Sequence, residues 1–78
     1  MKFIAVFYTY YDAMTFFQLC QEGEIAAKLA PTPRKLSASC GTCVMFDMQP
    51  EIDYNDYDVE GVYDAESYVK IWSGGETA

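Results

Sequence analysis

Three cysteines, Cys20, Cys40 and Cys43, are the side chains of this 78-residue chain best suited to nucleophilic chemistry. The chain contains no histidine, which removes the commonest general base, the usual partner of a catalytic serine and the commonest metal ligand. Hydrolase chemistry of the serine–histidine kind is therefore almost excluded. The nucleophilic form of cysteine is the thiolate, so a cysteine near a positive charge is the first candidate for a reactive group.

Cys40 is such a cysteine. It lies near the end of the loop formed by residues 31–41, with Arg34 and Lys35 a few positions before it. These are two of only five basic residues in the chain, and a nearby cation favours the thiolate over the thiol. The sequence therefore predicts that Cys40 is the reactive thiol and that Arg34 and Lys35 bind the anion. The alternative is that Cys40 is a small residue at a strand edge, beside cations that only solvate the loop.

Small residues around Cys40 extend the candidate site. Gly41 has no side chain, so a partner's backbone or a bulky sulfur group could approach, and a positive φ there would turn the thiol outward. The hydroxyl groups of Ser37 and Ser39 could donate hydrogen bonds to a thiolate or to a persulfide anion. Ser37, Ser39 and Gly41 are therefore predicted to be binding residues.

Cys40 and Cys43 form a Cys-x-x-Cys motif, which suits thiol–disulfide exchange because the second thiol can resolve a mixed disulfide formed by the first. Residues 44–46 have strand character, however, and in a strand residues 40 and 43 point to opposite faces. Cys43 is either a resolving thiol or a buried strand residue, and the second interpretation is favoured. One such pair without histidine falls short of the four ligands of a zinc site, so no metal site is predicted.

The charge balance excludes two classes of partner. Twelve acidic residues against five basic ones give a net charge of −7, which repels nucleic-acid phosphates and anionic membrane surfaces. No segment approaches the roughly 18 apolar residues of a membrane-spanning helix, and the amino-terminal residues lack the pattern of an export signal. We therefore expect a cytoplasmic protein with free thiols that binds neither nucleic acid nor membrane and holds no cofactor.

An apolar content of 51% predicts that nearly the whole chain folds, and its length allows a single core. We expect one α+β domain over residues 1–73 and a flexible tail over residues 74–78. Short apolar or alternating runs predict strands at residues 2–9, 25–30, 42–48 and 58–63. Residues 67–72 are ambiguous between a strand and a short helix.

One amphipathic helix is predicted between the first two strands. The apolar residues that share one face at helical spacing are Ala13, Phe16, Phe17 and Cys20. Cys20 is therefore expected to be buried and inert. Asp12 is predicted as the N-cap and Gly23 as the C′ residue that ends the helix. A second helix near residues 50–56 could have only one or two turns.

The loop segments Pro31-Thr32-Pro33-Arg34, Leu36-Ser37 and Ser39-Cys40-Gly41 resemble the signature of the DUF3343 family, small bacterial proteins described as selenium/sulfur carrier-like. Further matches extend over residues 1–64. The resemblance implies a small ferredoxin-like βαββ(α)β sandwich, with one main helix packed on a mostly antiparallel sheet. It also implies that Cys40 holds sulfur or selenium, as a persulfide or its selenium analogue, for transfer between donor and acceptor proteins.

Two features depart from the family pattern. The family usually has a longer amphipathic helix between its third and fourth strands, whereas residues 50–57 are short, acidic and rich in tyrosine. Loss of that helix would expose an apolar sheet surface, which a partner or a second copy of the chain could cover, so a homo-oligomer is one expectation. The other departure is Cys43, where the family more often has an apolar or small residue.

Three functions remain open at this point. A sulfur or selenium carrier would use Cys40 as its thiol, and we interpret it as an accessory protein rather than a turnover enzyme because no acid–base pair accompanies the thiol. A thiol–disulfide module would use Cys40 together with Cys43. A non-catalytic interaction domain would use the acidic second half of the chain to bind a basic protein.

Overall fold

A computed structural model describes residues 2–36, 38–47 and 54–73. The strands are β1 (Lys2–Phe7), β2 (Ala27–Pro31), β3 (Thr42–Asp47), β4 (Val59–Asp64) and β5 (Lys70–Ser73). One α-helix, α1, spans Tyr10–Glu22, and a short 3-10 helix spans Tyr54–Tyr57. The predicted α+β class, with one main helix on an antiparallel sheet, is confirmed.

The five strands form one sheet in the order β2-β3-β1-β4-β5, and every neighbouring pair is antiparallel. β1 and β2 therefore run in the same direction with β3 between them. The fifth strand comes from the segment that was ambiguous in the sequence, so the sheet has one strand more than the predicted four. The second helix predicted near residues 50–56 lies mostly outside the described residues, and its described part is the single 3-10 turn Tyr54–Tyr57.

Helix α1 begins at a capping residue that the sequence did not identify. The N-cap is Thr9, whose backbone is extended (φ −137°) and whose Oγ1 accepts the N–H of Asp12 at 3.1 Å. The same hydroxyl donates to Asp12 Oδ2 at 2.8 Å. The prediction of Asp12 as N-cap is therefore wrong, because Asp12 occupies the third helical position, where its carboxylate completes the cap.

The carboxyl end of α1 is closed by two backbone hydrogen bonds. The N–H of Ile25 donates to the carbonyl of Cys20 at 2.7 Å, and the N–H of Glu24 donates to the carbonyl of Gln21 at 3.2 Å. This pairing is a Schellman motif, in which the C′ residue takes a left-handed backbone. That residue is Glu24 (φ 58°) and not the predicted Gly23, which has φ −87°. With 13 residues, α1 is the longest helix described, and no helix in the described ranges has the length and apolarity needed to cross a membrane.

The face of the sheet beneath α1 holds the larger part of the core. The strand residues buried there include Phe3, Ala5, Phe7, Val44, Phe46 and Val62. Phe16 of α1 packs among them, with ring centroids 5.5 Å from Phe7 and 5.1 Å from Phe46. The helical face predicted from the spacing of its apolar residues is therefore confirmed at Ala13, Phe16 and Cys20, all of which are fully buried.

Aromatic rings cover the part of this face near β4 and β5. Tyr54 is buried and its ring centroid lies 5.3 Å from that of Trp72. Tyr57 packs against Phe16 at 6.0 Å between ring centroids. Among the described residues, these rings therefore lie on this part of the sheet face.

The opposite face of the sheet carries a smaller core. The loop between β2 and β3, residues 32–41, packs on this core, and we call it the cysteine loop. Ile4, Val6 and Cys43 are buried there against Tyr63, and Leu36 of the loop packs onto them. Leu36 is only 6% exposed although it belongs to a loop. The segment between β2 and β3 is therefore held down on the face that α1 does not cover.

The left-handed backbone of Glu24 generates a stability prediction. Glycine carries no Cβ penalty at such a φ, so Glu24→Gly is expected to raise the free energy of unfolding by about 1 kcal/mol. The matched control is Gln18→Gly on the exposed surface of α1, which is expected to lower it by about 1 kcal/mol. Urea denaturation followed by circular dichroism measures both, and a loss of stability in Glu24→Gly would contradict this account of the helix end.

Candidate functional site

Cys40 lies at one end of the sheet, two residues before the start of β3, and is partly buried. Its backbone N–H donates to the carbonyl of Phe7, the last residue of β1, at 3.1 Å. Thr32 donates hydrogen bonds to the carbonyl groups of both Cys40 and Gly41. Thr32 Oγ1 donates to the carbonyl of Cys40 at 3.1 Å, and the N–H of Thr32 donates to the carbonyl of Gly41 at 2.9 Å. Three hydrogen bonds therefore fix the backbone at Cys40.

Thr32 is a site residue that the sequence reasoning missed. It stands between Pro31 and Pro33, and the two prolines indicated only that a strand ends there. Each proline lacks a backbone N–H, so Thr32 supplies the one backbone donor of this tripeptide. Its side chain adds a hydroxyl donor. Both groups are used in bonds to residues 40 and 41.

Ser39 is bound to Glu60 of β4. Its N–H donates to Glu60 Oε1 at 2.8 Å, and its hydroxyl donates to Glu60 Oε2 at 3.0 Å. Both donors of Ser39 are thus occupied, so a persulfide on Cys40 would compete with a carboxylate for them. Glu60 is a second missed residue, because a contact across 21 positions leaves no local signal in the sequence. Ser37 lies outside the described residues.

Arg34 and Lys35 are exposed in a turn that the N–H of Leu36 closes by donating to the carbonyl of Pro33 at 3.0 Å. Among the described residues, neither cation forms a hydrogen bond or an ion pair. The ion pair found among the described residues lies elsewhere and joins Lys2 to Asp47, with 3.4 Å between Nζ and Oδ1. Stabilisation of a Cys40 anion by Arg34 and Lys35 therefore stays a prediction.

Gly41 leaves open space beside Cys40. Apart from its two chain neighbours, no residue would come within 4 Å of a Cβ at Gly41, and Gly41 is exposed. Its φ does not lie in the left-handed region, so the backbone freedom that glycine allows is not used here. Room for an approaching group, rather than an unusual backbone, is what the glycine contributes.

Cys43 is fully buried on the sheet face opposite α1. Its Sγ lies 3.7 Å from the carbonyl oxygen of Pro31, to which the thiol donates. Burial is the largest influence on the Cys43 thiol, and it raises the pKa of Cys43 above its ordinary value. Cys43 is therefore a protonated thiol at neutral pH, which favours the interpretation of a buried strand residue over that of a resolving thiol.

Cys20 lies on the face of α1 that packs on the sheet, on the side of the sheet opposite Cys43. It is fully buried, and the burial raises its pKa to about 11. The prediction of a buried Cys20 is confirmed. In the described ranges no three side chains among His, Cys, Asp and Glu cluster closely enough to hold a metal ion.

The different burial of the three thiols predicts a selective alkylation. Iodoacetamide at mildly alkaline pH should modify Cys40 in the folded protein while Cys20 and Cys43 stay unmodified, because burial keeps both in the thiol form and away from reagent. In urea all three should react. Peptide mass spectrometry locates each adduct, and modification of Cys43 as fast as Cys40 in the folded state would contradict the assigned burial.

Comparison with known proteins gives one match. A family model described as "Putative Se/S carrier protein-like" matches residues 2–63, which includes β1, α1, β2, the cysteine loop and β3. No curated protein and no solved structure matches the chain. Because the matched residues make up well over half of the chain, the protein belongs to the Se/S carrier protein-like family.

Proposed function

We propose that this protein carries sulfur or selenium on Cys40, as a persulfide or its selenium analogue, between a donor and an acceptor protein. Membership of a carrier-like family supports interaction with donors and acceptors in general. The observation that carries the proposal for this chain is the contrast among its cysteines. Cys20 and Cys43 are fully buried, whereas Cys40 is partly exposed beside the open space at Gly41.

The proposed loading step is a nucleophilic displacement at sulfur. The Cys40 thiolate attacks the outer sulfur of a donor persulfide, a new S–S bond forms at Cys40, and the bond to the donor's inner sulfur breaks so that the donor leaves as a thiolate. Unloading is the same reaction with an acceptor thiolate as nucleophile and Cys40 as leaving group. No net oxidation occurs, and no general acid or base in the protein is required.

The surroundings of Cys40 have defined roles in this proposal. Thr32 and the carbonyl of Phe7 hold the backbone at Cys40, which keeps the thiol at the end of the sheet. Glu60 holds Ser39 and so restrains the loop just before Cys40. Arg34 and Lys35 are the exposed cations that would offset the charge of a persulfide anion.

Further parts of the proposal concern the fold and the setting. We infer a ferredoxin-like arrangement, supported by the order β2-β3-β1-β4, to which β5 adds an edge strand. We also propose that residues 1–73 are one domain with residues 74–78 as its tail, and that the protein works in the cytoplasm, where reducing conditions keep its three thiols free.

A thiol–disulfide module is less well supported than a carrier. Cys40 and Cys43 are separated by two residues in the sequence, the spacing of a Cys-x-x-Cys disulfide. Cys43 is nevertheless fully buried, and its thiol donates to the carbonyl of Pro31. A buried thiol with a raised pKa is a poor nucleophile, so it would resolve a mixed disulfide slowly.

Intact-protein mass spectrometry tests the loading step. Incubation with cysteine persulfide is expected to add the mass of one sulfur atom to the wild-type protein and to Cys43→Ala, and none to Cys40→Ala. Dithiothreitol should remove the added sulfur. Circular dichroism of both variants provides the control for folding.

The carrier proposal fails if folded wild-type protein gains no sulfur or if Cys40→Ala gains as much as the wild type. A mass loss of two hydrogens that disappears in either single variant would instead indicate a Cys40–Cys43 disulfide. Salt-sensitive binding of a basic protein with no sulfur uptake would indicate the non-catalytic interaction domain.

A further inference from the structure

Three exposed tyrosines follow β1 directly. Tyr8, Tyr10 and Tyr11 are 41%, 57% and 76% exposed, whereas Tyr54 and Tyr63 are 8% and 7% exposed. Large aromatic side chains left in solvent at neighbouring positions are uncommon in a domain with a well-packed core, and such groups are typical of binding surfaces. The sulfur chemistry proposed for Cys40 does not use these tyrosines.

The tyrosines lie at the same end of the sheet as Cys40. Phe7 ends β1 and accepts the backbone hydrogen bond of Cys40 at 3.1 Å. Tyr8 is the next residue in the chain, and Tyr10 and Tyr11 form the first turn of α1. A protein that reached the Cys40 thiol from the side of α1 would therefore pass over these rings.

The charged residue that follows the tyrosines in the sequence is acidic. Asp12 lies in the first turn of α1, which contains no lysine or arginine along its length. Asp58 is exposed and precedes Val59, which pairs with Phe7, so it belongs to the same end of the sheet. We call the group formed by Tyr8, Tyr10, Tyr11, Asp12 and Asp58 the tyrosine patch.

The two cations that precede Cys40 in the sequence belong to a different side of the molecule. Arg34 and Lys35 directly precede Leu36, which packs on the sheet face opposite α1. They therefore lie on the far side of the sheet from the helix turn that carries Tyr10 and Tyr11. The chain as a whole has a net charge of −7, so the long-range field also attracts a positively charged partner.

We propose that the tyrosine patch is the docking surface for a basic region of the protein that loads or unloads Cys40. This inference rests on the proposed function of Cys40 and adds to it the surface and the chemistry of the partner. Lysine and arginine side chains bind tyrosine rings through cation–π contacts, and nearby carboxylates favour the same cations. Aromatic residues also dominate the binding energy of many protein interfaces.

The docking test uses a fluorescein-labelled octa-arginine peptide as the probe and the Cys40→Ser protein as the background, so that sulfur chemistry cannot contribute. Tyr10→Ser combined with Tyr11→Ser is expected to weaken binding about fivefold or more, because two cation–π contacts are lost. The control is Val69→Ser. Val69 is 59% exposed and lies near the other end of the sheet, where its carbonyl accepts the N–H of Asp64.

All of these substitutions leave the net charge unchanged, so general attraction between the acidic chain and the peptide stays constant. Fluorescence anisotropy gives the dissociation constants, and circular dichroism checks folding. Val69→Ser is expected to bind like its parent. If the double tyrosine variant is folded and binds as tightly as Val69→Ser, the docking proposal is wrong.

A second measurement separates this proposal from the one on which it rests. With Cys40 intact, the double tyrosine variant should take up sulfur from free cysteine persulfide at the wild-type rate. Its uptake from a persulfide peptide flanked by arginines should be slower than that of the wild type. Absence of uptake in both proteins would overturn the carrier function, whereas equal uptake from the peptide would overturn the docking surface alone.

Discussion

The hydrogen bond from the N–H of Cys40 to the carbonyl of Phe7 is the contact on which the candidate site depends. It joins the loop to the central strand of the sheet, since β1 has β3 on one side and β4 on the other. Thr32 adds two hydrogen bonds, one to the carbonyl of Cys40 and one to the carbonyl of Gly41. The thiol is thus positioned through its backbone by the most firmly held strand, while its side chain stays accessible.

Burial on the two faces of the sheet then separates the three thiols. Cys20 of α1 is enclosed between the helix and the sheet, and Cys43 lies under the loop that carries Leu36. Burial raises the pKa of both thiols. Cys40 lies between these cores, at the end of the sheet. The same loop that buries Cys43 presents Cys40, so one packing contact, Leu36 on the sheet, accounts for the different environments of two cysteines three residues apart.

Periodic patterns predicted the elements that position the site. The spacing of apolar residues gave α1 and the burial of Cys20 because one helical face must pack on a sheet. Strands β1 and β3 were recognised from continuous apolar runs. The fifth strand stayed ambiguous with a short helix, because four residues at a sheet edge, two of them exposed, carry no clear period.

Contacts between distant residues could not be predicted in the same way. The capping residue was misplaced by three positions because Thr9 and Asp12 are both good N-caps and only the folded chain shows which begins the helix. The left-handed residue after α1 is Glu24 and not glycine, a choice fixed by the bond of Ile25 to Cys20. The pairing of Ser39 with Glu60 depends on where the loop meets β4, which no local pattern encodes.

A carrier must release what it binds, so transfer out of Cys40 is the most direct test of the central claim. Protein loaded with radioactive sulfur and freed of donor would be mixed with an excess of a thiol acceptor, and the label on each partner would be followed in a single turnover. The account predicts that label leaves the protein completely, appears on the acceptor as a persulfide, and restores a Cys40 thiol that can be loaded again. Label that stays on the protein, or that leaves while Cys40 becomes linked to Cys43, would contradict it.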